Sequence, residues 1–306
     1  MTAGSSTLEP DLPSDAALTA AFQQPAQAWI KAGHAELAYR KFGAGPDLLF
    51  VHGWPLTSAT WIPLITRLQR DFACHVVDLP GCGETRWTDD TQIHMPGHAA
   101  TLALLVDALG LTAYGLVAHD SGGGIARALA ATHGDRVFGL VSGNTEIPGR
   151  RFPGLGLMRT VGRSAAAQAL CRASFRSRAV AASKLGFGGC FTDPGYAAGA
   201  FFDRQIAPLG ASKAAFTGQL VFVSNFKWHH VDDLAAAHAQ LRAPVLLIWG
   251  ARDRVFFPLD GAREMLTQFA AGARLEVIER GGLFVHEDHA QTFADLALAF
   301  LRPLAG

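Results

Sequence analysis

The sequence predicts an α/β protein whose mostly parallel, twisted sheet of about eight strands is flanked by helices and interrupted by a helical insertion. Short apolar runs typical of buried strands alternate with segments of helical spacing. Strands joined by helices of this length pair in parallel with both faces of the sheet covered. The composition changes near Pro148, after which apolar runs stop until about residue 243. The predicted strands are 36–43, 47–53, 72–83, 113–120 and 136–144, and the predicted helices are 93–110 and 122–134.

The strand pattern returns after the insertion. Apolar runs at 243–253 and 273–282 predict two further strands, and "QTFADLALAFL" predicts a last helix. The insertion itself carries "CRASFRSR" and several Ala- and Phe-rich helical patterns, which favour a helical cap over the sheet. We therefore predict four segments: an N-terminal arm with one short helix at 1–28, the first part of the sheet-containing core at 29–148, the cap at 149–239, and the second part of the core at 240–306.

Composition narrows the classes of partner. The chain has 306 residues, 49% of them hydrophobic, which is enough for one large core and a smaller cap. Because 26 basic side chains balance 26 acidic ones, net charge gives no reason to expect nucleic acid or an anionic membrane as a partner. We see no signal peptide and no apolar run near the ~18 residues that span a bilayer. The expectation is a soluble, cytoplasmic monomer or homodimer.

The cysteines agree with a reducing compartment. They are widely spaced and form neither a CxxC pair nor a disulfide framework. They are Cys74, Cys82, Cys171 and Cys190.

The stretch "LVAHDSGGG" at 116–124 predicts a nucleophile on a sharp strand-to-helix turn. Such a turn is strained and closely packed, so small residues are needed two positions before and two after the nucleophile. Centred on Asp120, those positions are Ala118 and Gly122, which are both small. Centred on Ser121, the first of them is His119, which is too bulky. The spacing therefore favours the Asp120 carboxylate over the Ser121 hydroxyl.

A second motif, "HGWP" at 52–55, follows the apolar strand "DLLFV". A turn there aims the backbone N–H of Trp54 at the place reached by the N–H of Ser121. Two such donors make an oxyanion hole, which stabilises the charge that develops when water attacks an ester carbonyl.

These motifs carry a resemblance to a known fold. The chain is similar to the α/β-hydrolase fold superfamily, and within it resembles the branch with an Asp nucleophile: haloalkane dehalogenases, haloacetate dehalogenases and epoxide hydrolases. The resemblance spans roughly residues 30–148 and 240–303 and leaves the cap unaligned. It implies an eight-stranded α/β-hydrolase sheet with Asp120 at its carboxyl edge, under the cap. The matching stretches are "HGWP", "DLPGCGET", "HDSGG", "NTEIP" and "WGARD".

The resemblance also implies a mechanism. Asp120 would displace a leaving group at an sp3 carbon and form an alkyl-enzyme ester, which a His-activated water then hydrolyses. A second carboxylate holds that His in the right tautomer, and Asp253 in "WGARDRVF" matches it. Glu146 is a rival, because some dehalogenases take the acid from the end of the preceding strand. We expect Glu146 to be a solvated loop residue.

The position of the base departs from the family pattern. The family's His stands in a stretch like G-H-F-x-x-E, and an ungapped match to "RGGLFVHEDH" places Leu283 there. Leucine cannot move a proton. Either the loop bends to bring His286 inward, paired with Asp253, or ester hydrolysis is impaired or absent. His289 lies further into the helix, and we expect it to face solvent.

The leaving-group side is also incomplete. Trp54 and Trp228 are candidate ring N–H donors for halide, with core or cap packing as the alternative. Haloacetate dehalogenases place Arg beside the nucleophile, where this chain has Ser121 and Gly124, which makes a haloacid substrate less favoured. Epoxide hydrolases use two cap tyrosines. The cap holds only Tyr196, which His229 or His230 would have to assist.

We expect no metal and no cofactor. "HEDH" has i, i+3 spacing rather than that of a zinc-protease helix, and "GAGPD" and "GGG" lack the spacing of a dinucleotide site. The leading hypothesis is hydrolytic dehalogenation of a small apolar haloalkane by water, with epoxide hydrolysis as the runner-up. A Ser121-dependent esterase and a non-catalytic binder of small apolar ligands are the further alternatives.

Overall fold

A nine-stranded sheet organises the molecule. The computed structural model describes residues 13–306. Eight strands follow the spatial order β1-β2-β4-β3-β6-β7-β8-β9, and β5 pairs with β2 beside that path. The strands are β1 Ala28–Ala32, β2 Ala35–Phe42, β3 Asp47–Val51, β4 Ala73–Val77, β5 Arg86–Trp87, β6 Tyr114–Ala118, β7 Val137–Ser142, β8 Val245–Gly250 and β9 Ala273–Ile278.

The sheet is mostly parallel, as predicted. From β4 through β9 along this path every neighbouring pair is parallel, whereas β2 pairs antiparallel with β1, β4 and β5. Both faces are covered, and β3 shows why its sequence is an unbroken apolar run. Leu49 and Val51 pack in one core cluster, while Leu48 and Phe50 pack in the cluster on the other face.

Helices cover the two faces of the sheet and form the segment between β7 and β8. In the core, α3 packs against α4, and α15 packs against α2. The helices are α1 Asp15–Phe22, α2 Ile62–Leu68, α3 Met95–Ala108, α4 Ser121–Thr132, α5 Leu155–Arg163, α6 Ala165–Ser174, α7 Arg178–Ala182, α8 Pro194–Ala198, α9 Ala207–Ala211, α10 Lys213–Asn225, α11 Trp228–Asp232, α12 Leu234–Gln240, α13 Leu259–Met265, α14 Val285–Asp288 and α15 Ala290–Leu301.

The predicted architecture is confirmed, with differences at its edges. β1 and β5 were not predicted, because β1 is only half-buried and β5 has two residues. The predicted arm falls partly on residues 1–12, which lie outside the described residues. The rest of it contains α1, whose first turn is capped by the Ser14 side chain accepting from the N–H of Ala17 at 3.2 Å.

The helices α5 to α12 occupy the segment predicted to be a cap. Within the described residues, no single helix is long and apolar enough to cross a membrane. One bent pair, Phe202–Ala211 with Lys213–Asn225 at 97°, passes that test on length and composition alone. The second part of this pair is α10, which contacts the core.

Two glycines allow α10 to contact the core closely. A Cβ on Gly218 would lie 2.1 Å from the carbonyl oxygen of Gly81, so no side chain fits between the helix and the loop after β4. Next to this contact, Nε1 of Trp54 donates to the carbonyl of Gln219 at 3.3 Å. This contact fixes the position of α10 over the turn that carries Trp54.

We therefore expect Gly218→Ala to destabilise the protein by about 1–3 kcal/mol, because the added methyl forces helix and loop apart. Gly156→Ala is the matched control, since a Cβ at Gly156 meets nothing within 4 Å. Both changes give the same gain in helix propensity, about 1 kcal/mol, so the control should be stabilised. Urea unfolding measures both. A Gly218→Ala variant as stable as the control would contradict this packing.

Candidate functional site

Asp120 lies on a sharp turn between β6 and α4. Its φ of 53° makes it the one non-glycine with positive φ in the described part of the chain. The turn is closely packed: a Cβ on Gly53 would lie 2.4 Å from the Asp120 Cβ, and a Cβ on Gly122 would lie 2.2 Å from the Val51 carbonyl oxygen. A strained residue held by such surroundings is typical of a functional site.

Two main-chain N–H groups converge on one oxygen of this carboxylate. Oδ1 of Asp120 accepts from the N–H of Ser121 at 2.5 Å and from the N–H of Trp54 at 3.1 Å. The Trp54 N–H also lies 3.0 Å from the Ser121 hydroxyl oxygen. No hydrogen bond from a residue in the described range reaches Oδ2. The turn thus orients one oxygen and leaves the other for chemistry.

Asp253 follows β8 in a loop that surrounds its carboxylate with donors. Oδ1 accepts from the N–H of Phe256 at 2.9 Å, and Oδ2 accepts from the N–H of Phe257 at 3.0 Å and from Nδ2 of Asn144 at 3.3 Å. Burial raises the pKa of Asp253, and these donors partly offset the rise. No His donates to this carboxylate among the residues described.

Leu283 contacts the segment that leads into Asp120. Its carbonyl accepts from Nε2 of His119, the residue before Asp120, at 2.8 Å. On the other side, the loop before it packs on the end of β8: a Cβ on Gly250 would lie 2.1 Å from the Gly282 carbonyl oxygen. The side chain is buried, with 5% of its surface exposed. An apolar side chain therefore occupies the loop position where the motif pattern expects a base.

His286 turns away from both acids. Its Nε2 lies 2.7 Å from the Thr60 hydroxyl, which itself donates to Oε1 of Glu287 at 2.7 Å. Because that hydroxyl has one hydrogen, Nε2 of His286 is the donor. The ring is fully buried, and its centroid lies 4.8 Å from the ring centroid of Trp61 and 4.2 Å from that of His119. Burial lowers the pKa of His286 well below its ordinary value, and the nearby His119 and Arg204 lower it further.

The predicted pairing of His286 with Asp253 is therefore not found, and the physical reason is local. The Thr60–Glu287 hydrogen bonds and the aromatic rings around His286 hold the imidazole on the side of Trp61. No local pattern indicates this contact, because Thr60 and His286 lie 226 residues apart. His289 is partly exposed and its Nε2 lies 3.0 Å from the Thr192 hydroxyl.

Tyr196 belongs to the same buried network. Its hydroxyl donates to Oε2 of Glu287 at 2.9 Å and accepts from Arg204 at 3.0 Å. Arg204 in turn forms an ion pair with Glu287 at 2.5 Å, and the Glu287 side chain is 0% exposed. A buried pair of this kind is held by many hydrogen bonds and is costly to break. Tyr196 thus bonds to Glu287 and not to Asp120.

Trp228 belongs to an aromatic cluster that borders Glu146. It packs 4.9 Å from Phe152 and 5.2 Å from Phe226, with Arg151 stacked over its ring at 4.9 Å. His229 and His230, the next two residues, pack against each other at 4.4 Å. Together with Phe152, Phe256 and Phe257, Trp228 lines a small cavity that also contacts Glu146.

Glu146 is buried, so the expectation of a solvated loop residue is wrong. Only 2% of its surface is exposed. The Thr145 hydroxyl bridges it to the Asp120 turn, at 3.1 Å from Oε2 of Glu146 and 2.8 Å from the carbonyl oxygen of Asp120. Since this hydroxyl has one hydrogen and two acceptors in reach, a protonated Glu146 that donates to Thr145 satisfies all three groups. Burial, and then the charge of Asp120, raise the pKa of Glu146 to about 8.

Arg127 is a further residue that the sequence analysis missed. It is fully buried on α4 and donates to the carbonyl of Glu146 at 2.7 Å and to the Thr145 hydroxyl at 2.9 Å. These bonds fix the segment that carries Glu146 against α4, the helix that follows Asp120. A lone Arg in the Ala-rich "GIARALAAT" stretch at 124–132 was the available signal.

The ionised form of the Asp120 carboxylate is disfavoured by burial. Burial raises its pKa to about 6, the N–H groups of Ser121 and Trp54 limit the rise, and the charge of Asp253 adds to it. Asp120 is therefore ionised above about pH 6, while Glu146 is still protonated. Within residues 13–306, no three or more His, Cys, Asp or Glu side chains are grouped to hold a metal.

Comparison with known proteins agrees with this geometry at the level of the fold. Residues 46–162 match the family model described as alpha/beta hydrolase fold. Haloalkane dehalogenase 2 of Mycobacterium bovis is 33% identical over 117 residues, which are 38% of this chain and 41% of that protein. The pimeloyl-[acyl-carrier protein] methyl ester esterase of Aeromonas hydrophila is 31% identical over 107 residues, which are 35% of this chain and 40% of that protein.

Solved structures extend the likeness over most of the chain. The structure of epoxide hydrolase CorEH has a TM-score of 0.74 at 22% identity and covers 89% of this chain and 97% of its own. The matched part is only about two fifths of each curated relative above. The protein therefore has the α/β-hydrolase fold, and its relatives include enzymes that act on different substrates.

We expect Asp120→Asn to stabilise the protein by about 1–3 kcal/mol at about pH 8. A carboxyl whose pKa is raised from 3.8 to about 6 by folding destabilises the native state fully above the folded value and not below the unfolded one. The gain should therefore shrink as the pH falls through 6 toward 4. Urea unfolding across this range measures it, with the exposed Asp89→Asn as control. A gain that does not change with pH would contradict the burial cost assigned to Asp120.

Proposed function

We propose that Asp120 attacks an sp3 carbon of a small apolar haloalkane and forms an alkyl-enzyme ester, in the manner of a haloalkane dehalogenase. One carboxylate oxygen of Asp120 bonds to carbon, and the carbon–halogen bond breaks with release of halide. The proposal rests mainly on the two N–H groups that hold Oδ1 and leave Oδ2 free. The likeness to haloalkane dehalogenase 2 supports the choice of leaving group.

Ser121 is a weaker nucleophile in this setting. Its hydroxyl oxygen lies 3.0 Å from the Trp54 N–H, and no His of the described chain accepts its proton. An esterase that attacks through serine needs such a base to activate the hydroxyl. The carboxylate needs none, because it is already charged above about pH 6.

We further propose that the second step of the reaction, hydrolysis of the alkyl-enzyme ester, is slow. Hydrolysis of the ester needs a base that takes a proton from water, and the family position of that base carries Leu283. Because His286 donates to Thr60 and has a strongly lowered pKa, we no longer assign it that role. Water attack on the ester carbonyl, which returns the carboxylate and releases alcohol and a proton, then proceeds without a positioned base.

We expect the protein to release about one halide per chain from bromobutane in a burst and then almost none. Leu283→His should give sustained release, faster by about two to four powers of ten, since it returns a His to the position that the family pattern gives to the base. Asp120→Asn should release none. Halide measured against time tests all three.

Two results of this experiment would contradict the proposal. Sustained halide release that His286→Ala stops would make His286 the base after all. A burst that persists in Asp120→Asn would remove Asp120 from the reaction.

Epoxide hydrolysis is a second candidate because of the protonated Glu146. Opening an epoxide at carbon leaves an alkoxide that needs a proton, whereas a departing halide needs none. Glu146 has one to give at neutral pH and borders the cavity beside Trp228. The two substrates can therefore be distinguished by how much each depends on Glu146.

Under this second candidate, Glu146→Gln should slow formation of the ester from styrene oxide by about 100-fold or more, and leave its formation from bromobutane nearly unchanged. Intact-protein mass spectrometry follows both adducts. Equal effects on the two substrates would exclude Glu146 as the proton donor.

A further inference from the structure

The charge of the chain is unevenly distributed, although its total is zero. Between residues 149 and 192 there are eight basic side chains and no acidic one. Carboxylates from other parts of the chain pair with three of them. Arg150 pairs with Asp260 and Glu264, Arg151 with Asp232, and Arg178 with Asp203. The remaining five have no carboxylate partner in the described structure: Arg159, Arg163, Arg172, Arg176 and Lys184.

The outer side of α6 is apolar, which is unusual for a helix that faces water. Every exposed residue of this helix is alanine or leucine, and the polar or charged residues Gln168, Arg172 and Ser174 are only partly exposed. Leu170 has 75% of its surface exposed. Helices at the surface of a protein normally present charged residues there, so this face is the reverse of the expected pattern. The exposed residues are Ala165, Ala166, Ala169, Leu170 and Ala173.

The preceding helix extends this surface. α5 and α6 pack against each other and are joined directly through Ser164. On α5, Leu157 has 65% of its surface exposed, and Arg163 is exposed at the end next to α6. We call the exposed side of these two helices the lid face, defined by Leu157, Arg163, Ala165, Ala166, Ala169, Leu170 and Ala173, with Arg172 at its edge.

We propose that the lid face docks on an anionic lipid surface, with Leu157 and Leu170 in the acyl boundary and Arg163 and Arg172 at the phosphates. An apolar helix side bordered by arginine and free of acids is the chemistry of an interfacial helix. Uncompensated positive charge complements the negative lipid headgroups. The net charge of the whole chain, from which no membrane partner was expected, does not reveal this local excess.

The lid face is connected to the Trp54 turn through α10. α5 packs on α10, and α10 carries the Gly218 and Gln219 contacts to the loops around Trp54. A lipid surface at the lid face would therefore contact α5, which packs on α10, the helix held against the turn of Trp54. The docking itself does not depend on which reaction Asp120 performs.

Co-sedimentation with phospholipid vesicles tests the proposal. We expect the full chain to bind vesicles that contain phosphatidylglycerol and to bind pure phosphatidylcholine vesicles at least about tenfold more weakly, with binding reduced by salt. Leu157→Ser with Leu170→Ser should abolish most of it. Arg163→Gln with Arg172→Gln should weaken it about 25-fold, at about fivefold per charge.

Matched controls separate docking from general stickiness. Leu104→Ser removes a leucine that is 48% exposed on α3. Lys31→Gln with Arg263→Gln removes two exposed positive charges that lie on β1 and α13, away from the lid face. We expect both to bind as the original chain does. Failure to bind phosphatidylglycerol vesicles, or equal loss in the lid-face and control variants, would overturn the proposal. So would a dimer in light scattering that Leu157→Ser with Leu170→Ser dissolves, since a second copy would then cover the face.

Discussion

The convergence of two main-chain N–H groups on Oδ1 of Asp120 is the constraint on which the rest of the site depends. To bring the Trp54 and Ser121 amides to one oxygen, the turn must be sharp and two glycines must let the strands approach. The same bonds limit the rise in pKa that burial causes, so the carboxylate stays charged near neutral pH. The strained backbone of Asp120, the close packing of the glycines and the charge of the carboxylate therefore depend on one another.

Two neighbouring carboxyl groups in different states follow from this arrangement. With Asp120 ionised, the buried Glu146 keeps its proton, because its surroundings offer a bridging Thr145 hydroxyl and no ion pair within the described residues. Arg127 donates to the Glu146 carbonyl and not to its carboxyl group. Under the proposed function, a charged Asp120 and a neutral Glu146 form a combination suited to opening an epoxide as well as to displacing a halide.

The fold and the sharp turn at Asp120 were predictable because they depend on local pattern. Apolar runs of β3, β6 and β8 are buried on both faces, and small residues flank Asp120 at the only compatible spacing. The surroundings of His286 and Glu146 were not predictable, because distant partners decide them. Thr60, Glu287 and Trp61 hold His286, while Arg127 and the distant Trp228 enclose Glu146. Short edge strands such as β5 carry too few residues to show a pattern.

The central claim is that a carboxylate oxygen of Asp120 forms the covalent bond. Peptide mapping by tandem mass spectrometry, after incubation of the protein with bromobutane, tests it directly. The account predicts a butyl ester on Asp120 that disappears when the residue is changed to Asn and that is lost on turnover when Leu283 is changed to His. A butyl group on Ser121 or on a cysteine, with Asp120 unmodified, would contradict it.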